Sequence, residues 1–442
     1  MTSDNNKPAG KKALSRRDFI KLGAAGAAGL AIGAAKSPTL AAPYIKRQGA
    51  DPAVVRFWSW YTDQQDQFPK VIADFEAKNP NIKVDLQIKS DVTGAYLPAL
   101  LASAAADDLP EVYAPHVYSV EFGKKGLGAD LIKELGADFM KDFFPSANSM
   151  FLDGEAQYAM GWMAQTMGFY YDPDIFAQAG IDGEPETWDD MIAASNQIKS
   201  KVSGNLGAMQ AATDGFSVND LWFPMITGFS GDPATVKMLD GHQAKWTDQP
   251  VVDALTLYRK TLDGGLWQKG QTGMDQVACL NALYTGKGAA FYSGSWNPGR
   301  IYKDAPPELV KRLKVMKTPS VAAGKPHWTG NSAGAAFSLS NHSKNKDAAI
   351  TFLQYLYSAE VYAWTMSESV SLPATKSAAD QVTDPIIKTM AAWLPDGCRH
   401  WLTGPAGQVV ADTIMLFTAG KLTDPKEAAQ AMEDGAAKLT YS

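Results

Sequence analysis

Histidine and cysteine are the side chains most able to hold a metal or carry electrons, and this 442-residue sequence has five of the first and two of the second. His116, His242, His327, His342 and His400 are scattered, as are Cys279 and Cys398. No C-x-x-C, C-x-x-C-H or H-E-x-x-H segment occurs, which argues against iron–sulfur, c-type haem and zinc-protease chemistry. No nucleophile elbow is read in the chain, so an α/β-hydrolase is not expected. What remains is a set of short segments in which aromatic and polar residues alternate: "SWYTD" with Trp60 and Asp63, "HVY" with His116 and Tyr118, "VNDLW" with Asp220 and Trp222, "GSWNPG" with Ser295 and Trp296, and "GCRHWLTG" with Arg399 and Trp401. Flat rings cover apolar C–H faces, and the polar neighbours make directional hydrogen bonds. This is the chemistry of holding a small molecule.

Such residues need rigid elements behind them. Residues 54–57 read as a short strand running into the Trp60 loop. The next segment gives a helix with Val71, Ile72 and Phe75 on its inner face, stopped at Asn79-Pro80, and a second strand follows over residues 82–88. A small-residue helix, an acidic turn and a strand near Val112 lead to His116. Alternation of this kind predicts an α/β fold with a mostly parallel sheet, whose ligands bind at the carboxyl ends of strands. Farther on, residues 156–171 read as two strands, Thr187 and Asp190 form a capping box, residues 288–293 form a buried strand ahead of Trp296, and Asp424-Pro425 starts a final helix. The two cysteines are expected to be free and buried.

The N-terminus carries an address. Lys11, Lys12, Arg16, Arg17 and Lys21 precede an Ala/Gly/Leu/Ile run over residues 22–35, too short for the ~20 residues of a membrane span, and "SPTLAAP" offers a cleavage site near Ala41 or Ala42. The "SRRDFIK" run resembles the twin-arginine export motif, with Ile20 where Leu is usual. Removing residues 1–42 takes seven of 41 basic and two of 47 acidic side chains. The remainder has a net charge of about −11, which disfavours nucleic acid. About 400 residues imply two domains.

"DFEAKNPNIKV", "LPEVY", "GFYYDPDIFAQAGIDGEPETWDDM", "GKGAAFYSGSW" and "NKDAAITFLQYLYS" occur in the order seen in the extracellular solute-binding proteins of ABC importers. The chain resembles, more narrowly, the carbohydrate receptors of family 1. That resemblance implies a two-lobe periplasmic-binding-protein fold with a cleft between the lobes and three crossovers, near Gln165, Gly330 and Pro373. The N-lobe would take residues 43–164 plus 330–372 and the C-lobe residues 165–329 plus 373–442. It further implies a periplasmic monomer without cofactor that delivers a small solute to an inner-membrane ABC permease.

Under the same resemblance, the ligand-binding candidates are Trp60, Asp63, His116, Tyr118, Gln165, Asp220, Trp222, Ser295, Trp296, Asn331, Arg399 and Trp401. Each has a structural alternative: a solvated acid for Asp63, a hydrogen-bonded scaffold histidine for His116, an interhelical anchor for Trp222, a partner on the neighbouring strand for Gln165 and Asn331, and a surface salt bridge for Arg399. The alternative function is a receptor of the same fold for an organic anion or a polyamine: Arg399, if free, would suit an acidic solute, whereas a polyamine would need more acids in the cleft loops. A glycoside hydrolase would need two carboxyl groups roughly 5–10 Å apart. Asp63 and Asp220 fall on opposite lobes, a poor base for a fixed pair.

Overall fold

In Ala53–Ser59 (β1) every second residue is buried, so Ala53, Val55 and Phe57 face a core while Val54 and Arg56 face away. The computed structural model describes residues 51–90 and 92–441; the export signal and its cleavage site lie outside them. β1 pairs in parallel with Ile82–Ile88 (β2) and with Val112–Tyr113 (β3), and the helix Phe68–Lys78 buries Val71, Ile72 and Phe75 before Asn79 ends it. The parallel unit anticipated at the start of the chain is present.

After a small hairpin, Leu152–Asp153 (β4) with Ala156–Gln157 (β5), comes Met160–Tyr171 (β6). It is one continuous strand, not the two expected: nearly all of it is buried, so no polar break marks a turn. Ala208–Gln210 (β7), Ala290–Gly294 (β8), Lys314–Lys317 (β9), Thr329–Leu339 (β10) and Gly397–Cys398 (β11) complete the set. The main sheet runs β2-β1-β3-β10-β6-β8-β7. It is mixed and not mostly parallel, because β10 pairs antiparallel with β3 and β6, and β6 antiparallel with β8 and β9.

The core divides along β6. Met160, Trp162 and Ala164 pack with Phe57, Phe68, Phe337 and Phe352, whereas Met167, Phe169 and Tyr171 pack with Trp188, Trp222 and Trp267. Tyr170 points to the other face of the strand, into a smaller cluster with Phe291 and Trp393. One strand thus passes from one hydrophobic core to another within three residues, at Gln165. Ala374, Ala378 and Val382 still belong to the first core, beyond a bridge between Met163 and Pro373. The capping box at Thr187 and Asp190 and the Asp424 cap form as read, and Cys279 and Cys398 are free and buried. No helix among the described residues is long and apolar enough to cross a membrane.

Candidate functional site

A cavity of about 380 Å³ opens where β6 changes core. Its walls are the loop after β1 (Thr62, Asp63, Gln65, Asp66), Gln165 on β6, Ser295 and Trp296 after β8, one side of the helix Pro298–Asp304, and residues 368–371. A recess of about 20 Å³ adjoins it, bounded by Gln210, Asp220, Gln276 and Tyr292, and Trp296 is a wall of both.

Trp296 is set from three directions. β8 is buried throughout and delivers the Ser295-Trp296 turn at its end. Gly294 leaves space for the ring, since a Cβ there would lie 2.1 Å from Trp296 Cζ3. The indole Nε1 donates to Gln276 Oε1 at 2.8 Å. Ser295 stitches this turn to β6: its N–H donates to the Thr166 carbonyl (3.1 Å), and its Oγ donates to the Ala164 carbonyl and accepts from the Thr166 N–H, both at 3.3 Å.

The cavity is strongly charged. Asp63 and Asp66 stand on the β1 loop; Arg300, Lys303 and Asp304 come from the helix after Trp296; Glu368 adds a further acid. Partial burial pushes the Asp63 carboxyl above the ordinary aspartate value, and the Arg300 charge works against that rise.

A hydrogen-bonded chain runs behind Gln165. Ser332 Oγ donates to Gln165 Oε1 at 3.1 Å, lies 2.8 Å from His400 Nε2, and His400 Nδ1 lies 2.7 Å from Asp220 Oδ1. Burial pushes the Asp220 carboxyl above its ordinary value, opposed by the charge and hydrogen bond of His400. Residues 330–334 read G-N-S-A-G, so the G-x-S-x-G pattern does occur, contrary to the sequence reading, and Ser332, His400 and Asp220 are bonded as in a Ser-His-Asp triad. An elbow needs the serine exposed at a sharp strand-to-helix turn. Ser332 sits inside β10, is 4% exposed, and has the Gln165 carboxamide against its hydroxyl. The arrangement therefore lacks the exposed serine that an elbow presents.

The structure therefore brings Asp63, Gln165, Ser295 and Trp296 together in the cavity, and Asp220 with Trp296 in the adjoining recess. The other candidates lie elsewhere. Trp60 packs on Tyr61, Tyr96 and His116, with ring centroids 4.5, 5.0 and 5.3 Å away. Tyr118 stacks on Phe122. His116 has a positive φ of 53°, its Nδ1 is buried with no partner among the described residues, and desolvation lowers its pKa. Trp222 is fully buried against Phe223 and Trp246, and its Nε1 donates to Asn219. Asn331 donates to the Leu394 carbonyl at 3.0 Å and accepts from Thr329, so it staples the crossover from within. Arg399 pairs with the buried Asp240 at 3.1 Å and donates to Thr403; this guanidinium is part of the scaffold. Trp401 is 39% exposed and meets the His400 ring edge-on. Thr62, Gln65, Asp66, Arg300 and Lys303 were missed. The first three sit in the polar run "TDQQDQ", whose position after a strand was the available signal; nothing in the sequence aims Arg300.

Residues 59–363 match the family model described as bacterial extracellular solute-binding protein. A multiple sugar-binding protein of Streptococcus mutans is 23% identical over 360 residues, covering 80% of this chain and 82% of that protein. Among solved structures, a cyclic alpha-maltosyl-1,6-maltose binding protein from Arthrobacter globiformis is 20% identical with a TM-score of 0.74, and the GacH receptor of Streptomyces glaucescens, solved unliganded and with acarbose, is 21% identical with a TM-score of 0.71. Each covers 88% of this chain, matched over 98% of its own length. With a family model spanning more than half of the sequence and this two-core fold, the chain belongs to the bacterial extracellular solute-binding proteins.

Proposed function

We propose that this chain is the periplasmic receptor of an ABC importer, closing two lobes on a carbohydrate or sugar derivative and delivering it to the permease. The observation that carries the reading is Trp296: an anchored flat ring walls the cavity, surrounded by Gln165, Asp63 and Arg300. A sugar presents C–H faces to such a ring and hydroxyl edges to such neighbours. The names of the Streptococcus, Arthrobacter and Streptomyces relatives point the same way. The lobes are built on residues 43–164 plus 330–372 and on 165–329 plus the C-terminal part of 373–442; the change of core along β6 supports the boundary at Gln165, while Ala374, Ala378 and Val382 pack with the first core and carry that lobe past residue 372. The twin-arginine segment exports the folded chain, which works as a monomer without cofactor.

A micromolar ligand supplies about −8 kcal/mol, ample to shift an open–closed balance of a few kcal/mol if its contacts to both lobes form only on closure. Thermal melting against mono- and disaccharides, polyols, sugar acids and polyamines tests this. A ligand held only by the folded state stabilises it by about 2.7 kcal/mol at a hundred times its Kd. A shift with one neutral sugar class supports the receptor; no shift with any sugar contradicts it. Arg300 and Lys303 favour a second reading, an acidic solute, and a shift confined to the sugar acids would establish it.

A further inference from the structure

We infer that His400 is a positioning residue that sets, through Ser332, whether Gln165 shows a hydrogen-bond donor or an acceptor to the cavity, so that the polarity of the site changes with the protonation of one buried imidazole. The inference rests on this cavity being the binding site.

The proton count follows from the distances. With Asp220 ionised, its Oδ1, 2.7 Å from His400 Nδ1, accepts the Nδ1–H in either state of the ring. When the imidazole is protonated, Nε2–H donates to Ser332 Oγ (2.8 Å), and the serine hydroxyl must send its own proton onward, to Gln165 Oε1 (3.1 Å). The Gln165 NH2, which has no partner among the described residues, is then the free end of a side chain that lines the cavity. When the imidazole is neutral, Nε2 accepts the serine proton. Ser332 Oγ can then only accept from Gln165, whose carboxamide turns over and puts its carbonyl in the cavity. Turning an amide over needs no new volume. Gly334 already leaves the room it occupies, since a Cβ there would lie 2.6 Å from Gln165 Nε2.

The surroundings confine the change to this chain. His400 is fully buried, and its Cβ packs on Gly330 of β10. The titratable groups around the His400–Asp220 pair are Asp214 at the start of the helix Gly215–Ser230, Tyr292 of β8, which donates to the Asp220 carbonyl, and Cys398 of β11; Trp401 adds a polar neighbour. Burial holds Tyr292 protonated and pushes the Cys398 thiol up to about 12. Neither changes charge near neutrality. A ligand group meeting Gln165 would meet a donor at low pH and an acceptor at high pH.

The test reads the unliganded full chain, so its outcome is separate from whether any sugar binds. The protein is labelled with ¹⁵N and followed by NMR from pH 5 to 9, with the His400 ring nitrogens assigned by His400→Gln and the Gln165 side-chain NH2 by Gln165→Met. The expected result is one shared midpoint for both. In Ser332→Ala His400 still titrates while the Gln165 signals stay constant. In Asp220→Asn, which keeps the shape of the carboxylate, both midpoints fall together by about one pH unit or more. Gln165 signals that stay constant in the unsubstituted chain, that still move in Ser332→Ala, or a His400 that does not titrate would each overturn the inference. So would release of p-nitrophenol from p-nitrophenyl acetate by the unsubstituted chain and not by Ser332→Ala, which would make Ser332 a nucleophile.

Discussion

Trp296 Nε1 donates to Gln276 Oε1 at 2.8 Å, a bond between the turn after β8 and the helix Gln276–Tyr284 that fixes the plane of the one aromatic ring walling both the cavity and its recess. Gln276→Ala removes it and leaves the indole N–H to find water. A bond of this kind contributes about 1 kcal/mol net. Sugar affinity should fall about fivefold, with the melting temperature of the unliganded protein little changed; titration calorimetry and thermal melting measure the two.

Gly294→Ala attacks the same ring from below, because the added methyl would overlap Cζ3. Overpacking of this kind costs about 1–3 kcal/mol. The expected outcome is a lower melting temperature together with weakened sugar binding. A variant with wild-type affinity would show that the plane of Trp296 does not matter.

Arg399 gives the opposite pattern. Its partner Asp240 is 5% exposed and also accepts from the Thr403 and Gly404 N–H groups, so Arg399→Met leaves a buried carboxylate without its cation. Breaking such a pair costs about 3 kcal/mol. Urea unfolding should register that loss while calorimetry finds solute affinity unchanged. Arg300→Gln should leave stability alone and weaken acidic solutes only.

His116 sets a pH dependence. Desolvation holds its folded pKa below the ordinary ~6.5, so the unfolded chain binds the proton first. Stability therefore rises with pH across the window between the depressed value and ~6.5, and is lost as pH falls through that window. Asn tolerates the positive φ at this position. Urea midpoints of His116→Asn compared with the unsubstituted chain at pH 7.0 and 5.5 should show a smaller loss in the variant.

The cleft was legible where it follows directly from strand ends. "GSWNPG" comes after a buried strand and Asp63 after β1, and both line the cavity. Trp222 departs from the expectation through helix phase: Asp220 and Trp222, two positions apart, lie on different faces, one on the recess and one in the core. Arg399 follows its salt-bridge alternative, but with a buried partner and not a surface one: Asp240 is far away in sequence and no local pattern announces the pair. The relay from Asp220 through His400 and Ser332 to Gln165 joins four distant segments, and only the assembled crossover reveals it.

The most direct measurement is calorimetric titration of the sugar that gives the largest melting shift into the unsubstituted protein and into Trp296→Ala. Saturable one-to-one binding that weakens at least tenfold when the ring is removed is the expected result. Equal affinity in both proteins would contradict it, because the carbohydrate would then be held somewhere other than this cavity.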